Sequence, residues 1–165
     1  MDNLVQQLIL GEGALRVVRL RAGVGTPEER LRFVQLLATT PNSVEVFNAF
    51  YERDRPVPSE MEDAIAEIIR SSTTLKVLRL KGGGFRDSMY HKVADAFRVN
   101  TSVYMLDMAL NTVSEQLPIV EAFIDAMAAN PDRPSNSDWT LFKHYPGCDF
   151  GVVRSCAKTK IAEQK

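Results

Sequence analysis

The side chains with the most evident chemical potential fall in a few short stretches. Lys81-Gly82-Gly83-Gly84 follows an extended segment and precedes a helical one, the setting of a phosphate-cradling loop. It lacks the spaced glycines and Lys-Ser/Thr ending of a nucleotide-binding loop, and it lacks the Gly-x-Gly-x-x-Gly fingerprint. Glycine's access to positive φ makes this run a tight repeat turn instead. His91 and His144 are the only histidines. Neither has a Ser or Cys nucleophile and an orienting carboxylate beside it in sequence, so surface or packing roles are expected. Cys148 adjoins Asp149, with no base nearby to favour the thiolate. Cys148 and Cys156 have only each other as disulfide partners, and no second ligand pair completes a zinc motif. Reduced thiols in a cytoplasmic protein are expected. Glu60, Glu62, Asp63 and Glu67 read as an acidic helix start that suits the helix dipole and a solvated face rather than a metal. Arg53-Asp54-Arg55 is a charged loop within reach of a partner. These residues imply no catalytic site, no metal and no cofactor, and the protein is expected not to be an enzyme.

The composition is that of a soluble globular chain: 165 residues, 45% hydrophobic and 25% charged. A net charge of −1 argues against bulk attraction to nucleic acid or to an anionic membrane. No apolar run approaches the roughly 20 residues that span a bilayer. The segment Leu4 to Leu10 contains Gln6 and Gln7 and has no basic leader, so no secretory signal is expected.

One pattern organises the chain. Leu15-Arg16-Val17-Val18-Arg19-Leu20 returns as Val44-Glu45-Val46-Phe47-Asn48-Ala49, as Leu75-Lys76-Val77-Leu78-Arg79-Leu80 and as Val103-Tyr104-Met105-Leu106-Asp107-Met108. The starts at 15, 44, 75 and 103 are 29, 31 and 28 residues apart. A fixed period in this range marks stacked repeats. Within each hexamer the fourth and sixth side chains share one face of a short strand.

An amphipathic helix follows each strand. Thr26-Pro27 caps one bearing Leu31, Val34, Leu37 and Ala38. Ser59, with Glu62 three residues on, reads as a capping box before Met61, Ile65, Ile68 and Ile69. Asp87 or Ser88 opens a third helix with Val93, Ala96 and Phe97. Ser114 opens a fourth with Leu117, Val120, Phe123, Ile124 and Met127, and Pro118 falls in its first turn. Polar turn formers such as Thr40-Pro41-Asn42-Ser43 and Val99-Asn100-Thr101-Ser102 lead back to the next strand.

The segment Val93-Ala94-Asp95-Ala96-Phe97-Arg98-Val99-Asn100-Thr101-Ser102-Val103 is similar to the helix-to-strand junction of long leucine-rich repeats, and Leu75–Leu80 and Val103–Asn111 match their strand consensus. The chain resembles the leucine-rich-repeat proteins of the ribonuclease-inhibitor and tropomodulin type over about residues 4 to 130. The resemblance implies an α/β solenoid of right-handed β-α repeats, with a curved parallel sheet on the concave side and helices on the convex side. It also implies a turn asparagine three residues after the last apolar strand position. Those positions hold Gly23, Glu52, Gly83 and Asn111, so only repeat four keeps it. Repeat two is irregular as well, with Ala49 for leucine and a Pro56-Val57-Pro58 loop. Loops less regular than the family's are therefore expected on an intact stack.

The expected organisation is a repeat domain over 1–132, with an N-terminal cap at 1–13 and repeats at about 14–42, 43–73, 74–101 and 102–132. Residues 133–165 are expected to add a closing edge strand, Trp139 to Phe142, and a tail. In-register stacking aligns columns on the sheet face turned away from the helices. The third strand position gives Val17, Val46, Val77 and Met105; the fifth gives Arg19, Asn48, Arg79 and Asp107; the seventh gives Arg21, Phe50, Lys81 and Ala109. An apolar row beside a partly basic row is expected there, and a contiguous exposed apolar row often marks a binding site. The leading expectation is a non-enzymatic module that binds another protein through Val17, Arg19, Arg21, Val46, Asn48, Phe50, Val77, Arg79, Lys81, Met105 and Asp107. The resemblance implies two alternatives. One is a tropomodulin-like regulator of actin. The other is a GTPase-regulatory protein of the Ran-activator kind, acting through Arg53, Arg55 and Arg86 on the loop rim. A homodimer burying the open ends of two arrays or their concave rows, with Trp139, Val152 and Val153 in the interface, is a further alternative. Neither nucleic acid nor membrane is expected as a partner.

Overall fold

Each hexamer gives its central residues to a strand. In the computed structural model these are β1 (Val17–Leu20), β2 (Val46–Phe50), β3 (Val77–Lys81) and β4 (Met105–Asp107). A fifth strand, β5 (Asp138–Thr140), closes the series at nearly the expected place. The structure describes residues 15–21, 23–52, 55–82, 84–109, 111, 113–130 and 138–141. The expected N-terminal cap, Arg53, Asp54, Gly83, His144, both cysteines and the tail with Val152 and Val153 lie outside the described residues, as does the side chain of Trp139.

The strands form one parallel sheet in sequence order, β1-β2-β3-β4-β5. Val17 stands opposite Val46, Val46 opposite Val77, and Val77 opposite Met105. Hexamer position thus equals register, and the side-chain columns fall where the sequence alignment puts them. Parallel neighbours need a crossover, which the helices supply: α1 (Pro27–Thr39), α2 (Ser59–Ser71), α3 (Asp87–Phe97) and α4 (Gln116–Ala129). The fourth and sixth strand residues, including Val18, Leu20, Phe47, Leu78, Leu80, Leu106 and Met108, meet Phe33, Ile65, Val93, Phe97 and Phe123 from the helices in one core. The Phe97 and Phe123 rings meet edge to face at 6.3 Å between centroids.

Helix starts differ in chemistry. At α1, Thr26 Oγ1 accepts from the Glu29 backbone N–H at 3.2 Å, and Glu29 Oε2 accepts from the Thr26 N–H at 2.7 Å. That reciprocal box forms at Thr26. The box expected at Ser59 does not form: Ser59 is already helical, and Pro58 caps without a side-chain bond. Glu62 turns toward α3 instead. It is buried, accepts from Ser88 Oγ at 2.9 and 3.1 Å, and lies 3.2 Å from Lys92 Nζ. The acidic helix start is therefore not wholly a solvated face, because one of its carboxylates clamps α2 to the next repeat. At α4 the expected face is also shifted. Leu117 is exposed, and Ile119, Phe123 and Ala126 carry the packing. The helix begins at Gln116, so the inward stripe runs through 119, 123 and 126 at helical spacing.

The junction asparagines hold successive repeats together. Asn100 Nδ2 donates to the Ile69 and Ser72 carbonyls of the preceding repeat at 2.7 and 2.9 Å, while its Oδ1 accepts from Ser102 and Val103 N–H at 3.1 and 2.9 Å. Asn130 Nδ2 repeats this one unit later, reaching the Phe97 and Asn100 carbonyls at 3.2 and 2.9 Å. The turn asparagine of repeat four, Asn111, donates to the Leu80 and Met108 carbonyls at 2.6 and 2.8 Å. The Tyr90 hydroxyl donates to Met108 O at 2.8 Å and lies 3.3 Å from Leu141 O, tying the last two strands to α3.

Candidate functional site

The sheet face opposite the helices is built from the odd-numbered strand positions, and β1 shows the alternation most plainly. Val18 and Leu20 are buried, whereas Val17 and Arg19 are exposed. Along the third-position row Val17 is 45% exposed, Val46 and Met105 are half-buried and Val77 is buried. The expected continuous apolar row is therefore interrupted at Val77, which lies on the middle strand of five, whereas Val17 lies on the edge strand. Phe50, at the seventh position of β2, is the exposed aromatic of the face.

Charge on this face is uneven. Lys81 forms an ion pair with Asp107 across the β3–β4 pairing, and Asp107 Oδ1 also accepts from the Ala109 N–H at 3.2 Å. Arg79 Nη2 lies 3.6 Å from Met105 Sδ, a weak contact. Among the described residues, no carboxylate lies within ion-pair distance of Arg19, Arg21 or Arg79. Asn48 sits between Arg19 and Arg79 in register. It is buried, and among the described residues its Oδ1 has no hydrogen-bond partner. Beside the face, at the second hexamer position, Arg16 and Lys76 share the Glu45 carboxylate at 2.9 and 3.5 Å, a ladder of two cations on one anion.

The rim where strands lead into helices holds a cleft of about 360 Å³ between repeats one and two, lined by Leu31, Tyr51, Pro56, Met61, Arg30 and Glu52 among others. Its origin lies in the glycine run. The loop of repeat two leans onto repeat three: Tyr51 N–H donates to Lys81 O at 2.9 Å, Val57 N–H donates to Gly84 O at 3.0 Å, and Tyr51 packs on Phe85. A Cβ on Gly82 would stand 1.7 Å from Tyr51 O, and Gly82 has φ +113°. The glycines admit the neighbouring loop, and that lean leaves space on the repeat-one side. Of the rim arginines, Arg55 pairs with Glu52 at 3.3 Å and Arg86 is exposed just before α3. His91 is exposed on α3. Among the described residues, no group of three or more His, Cys, Asp or Glu side chains could hold a metal ion, and no helix is long and apolar enough to cross a membrane.

Neither a protein-family model nor a curated protein matches the sequence. Solved structures do match the fold. Actin-binding site 2 of leiomodin-1 superposes with a TM-score of 0.64 at 14% identity, over 98% of this chain and 87% of that one. The tropomodulin C-terminal domain from Caenorhabditis elegans superposes with a TM-score of 0.66 at 11% identity, over 98% of this chain and 90% of that one. The fold is a short leucine-rich-repeat solenoid of the tropomodulin type.

Sequence reasoning found the columns but not the Asn48 acceptor or the Lys81–Asp107 pair. The pair was legible in principle, since Lys81 and Asp107 stand two hexamer positions apart on adjacent strands.

Proposed function

We propose that the protein is a non-enzymatic interaction module that binds another protein on its concave face, chiefly through β1 to β3. The observation that carries this reading is the uncompensated polar chemistry there: three arginines and a buried acceptor that, among the described residues, have no carboxylate and no donor respectively, beside exposed Val17 and Phe50. Buried polar groups are ordinarily satisfied, and exposed aromatic and arginine side chains are the usual anchors of interfaces. The test is a pull-down with wild type and the Arg19→Glu/Phe50→Ser variant, both shown to be folded by circular dichroism. Both positions are exposed, so the variant spares the core, whereas Val77 is buried and makes a poor probe. A partner held by wild type and lost or weakened at least about tenfold in the variant supports the reading. Equal capture refutes it.

A second reading is actin regulation. It is favoured by the likeness to the leiomodin-1 domain named for actin binding. Pyrene-actin elongation that is unchanged at micromolar protein would dismiss it.

A further inference from the structure

We infer that the partner segment received by this face is acidic peptide chain, with its carboxylates on Arg19 and Arg79 and a backbone N–H on Asn48 Oδ1. This rests on the concave-face reading above. Positive charge is common on protein surfaces, and here part of it is left uncompensated on this face. Arg16, Arg55, Arg70, Lys76, Lys81, Lys92 and Arg98 each have a carboxylate within 4.0 Å, whereas among the described residues Arg19, Arg21 and Arg79 on the concave face have none, as is also true of Arg30, Arg32 and Arg86 elsewhere. The concave charges thus divide into a neutralised pair, Lys81–Asp107, and the cations Arg19, Arg21 and Arg79.

Asn48 identifies the kind of anion. It is 4% exposed, and among the described residues its Oδ1, in a strand flanked by Arg19 and Arg79, is a buried acceptor with no donor. An unfilled buried acceptor is costly, and because this oxygen is covered in the unbound chain, a partner N–H reaches it once the amide turns outward on binding. An inorganic anion supplies acceptors only. A peptide supplies both carboxylates for the guanidinium groups and N–H groups for the amide oxygen. Val17 and Phe50, 45% and 37% exposed, offer apolar contact between the charges, so the segment should mix acidic and apolar residues.

The chain's own tail is a poor occupant. Residues 142–165 carry five Lys and Arg against two Asp and Glu, and like charges on facing surfaces repel.

The experiment uses the full chain and two fluorescein-labelled heptapeptides, one of alternating glutamate and valine and one with glutamine in place of glutamate. Anisotropy is read at low and moderate salt. The glutamate peptide should bind at least about tenfold more tightly than the glutamine peptide, and added salt should weaken it. Arg19→Gln/Arg79→Gln should remove that preference. Asn48→Leu should weaken binding about fivefold while keeping the salt dependence, because it removes an acceptor and no charge. Equal binding of the two peptides, no binding of either, or unchanged affinity in the arginine variant overturns the inference. So does an oligo-dT strand that binds more tightly and displaces the glutamate peptide. If the pull-down partner is lost with Arg19→Glu/Phe50→Ser while the glutamate peptide fails, the acidic assignment falls and the concave-face reading stands. If neither depends on this face, both fall.

Discussion

Asn100 shows how much one side chain contributes to a stacked fold. Five hydrogen bonds of 2.7 to 3.1 Å converge on its side chain, three closing its own turn and two reaching the repeat before. It is 3% exposed, so removing it strands buried backbone groups rather than returning them to water. Asn100→Ala should cost about 3 kcal/mol in chemical denaturation, several times the effect of an exposed substitution such as Thr101→Ala. A loss below about 1 kcal/mol would mean that water replaces the side chain there. The sequence marks this residue as a polar turn former, and its similarity to a repeat junction marks the position. What single-sequence reasoning misses is the reach across repeats, because the partners Ile69 and Ser72 lie about thirty positions away and are carbonyls that carry no residue-type signal. Asn48 is a comparable case. Its column is legible from the hexamer, but its burial depends on the strands and side chains packed on both sides of it.

Among the elements, strands and helices were read more faithfully than loops. Strand register follows directly from the hexamer because the stack repeats one geometry. Loops depend on which neighbour they lean on, which the periodic pattern does not encode. The repeat-two loop rests against Gly82 and Gly84, so two glycines with the same backbone sign carry different demands. Gly23 has φ +86° and nothing within 4 Å of a built Cβ, whereas Gly82 has φ +113° and a Cβ there would meet Tyr51 O. Gly23→Ala should therefore cost about 1 kcal/mol, the conformational penalty alone. Gly82→Ala should cost about 3 kcal/mol or more, since the loop must also shift. Urea denaturation of the two variants checks this, and equal losses would show that the loop gives way freely. The glycine run reads correctly in sequence as a turn. Its second role, admitting a neighbouring loop, is visible only in three dimensions. Glu62 departs from its sequence expectation for the same kind of reason: its spacing from Ser59 satisfies a capping box, yet the interrepeat partners Ser88 and Lys92 win.

At the scale of the whole molecule, the buried ionisable groups point to alkaline sensitivity. Burial pushes Tyr51 from 10.0 to about 12 and raises Tyr90 further. Burial tends to lower Lys92, but its hydrogen bonds to Asp63 and Glu62 outweigh this and raise it above 10.5. A group whose folded pKa is raised contributes fully below its unfolded value and loses that contribution as pH climbs through the folded value. The urea midpoint should accordingly hold from neutral pH to about pH 9.5 and fall above pH 10. Absorbance near 295 nm should show Tyr51 and Tyr90 ionising only as the chain unfolds, and reversible ionisation of both at pH 10 in the folded state would contradict this.

The central claim concerns which side of the stack meets a partner, and site-specific photocrosslinking addresses it most directly. Benzoylphenylalanine replacing Phe50 on the concave face is compared with the same group replacing Glu67, an exposed residue of α2 on the convex side. The predicted result is a crosslinked partner from position 50 and none from position 67. A crosslink from position 67 alone would place binding on the helical side and contradict the concave-face account.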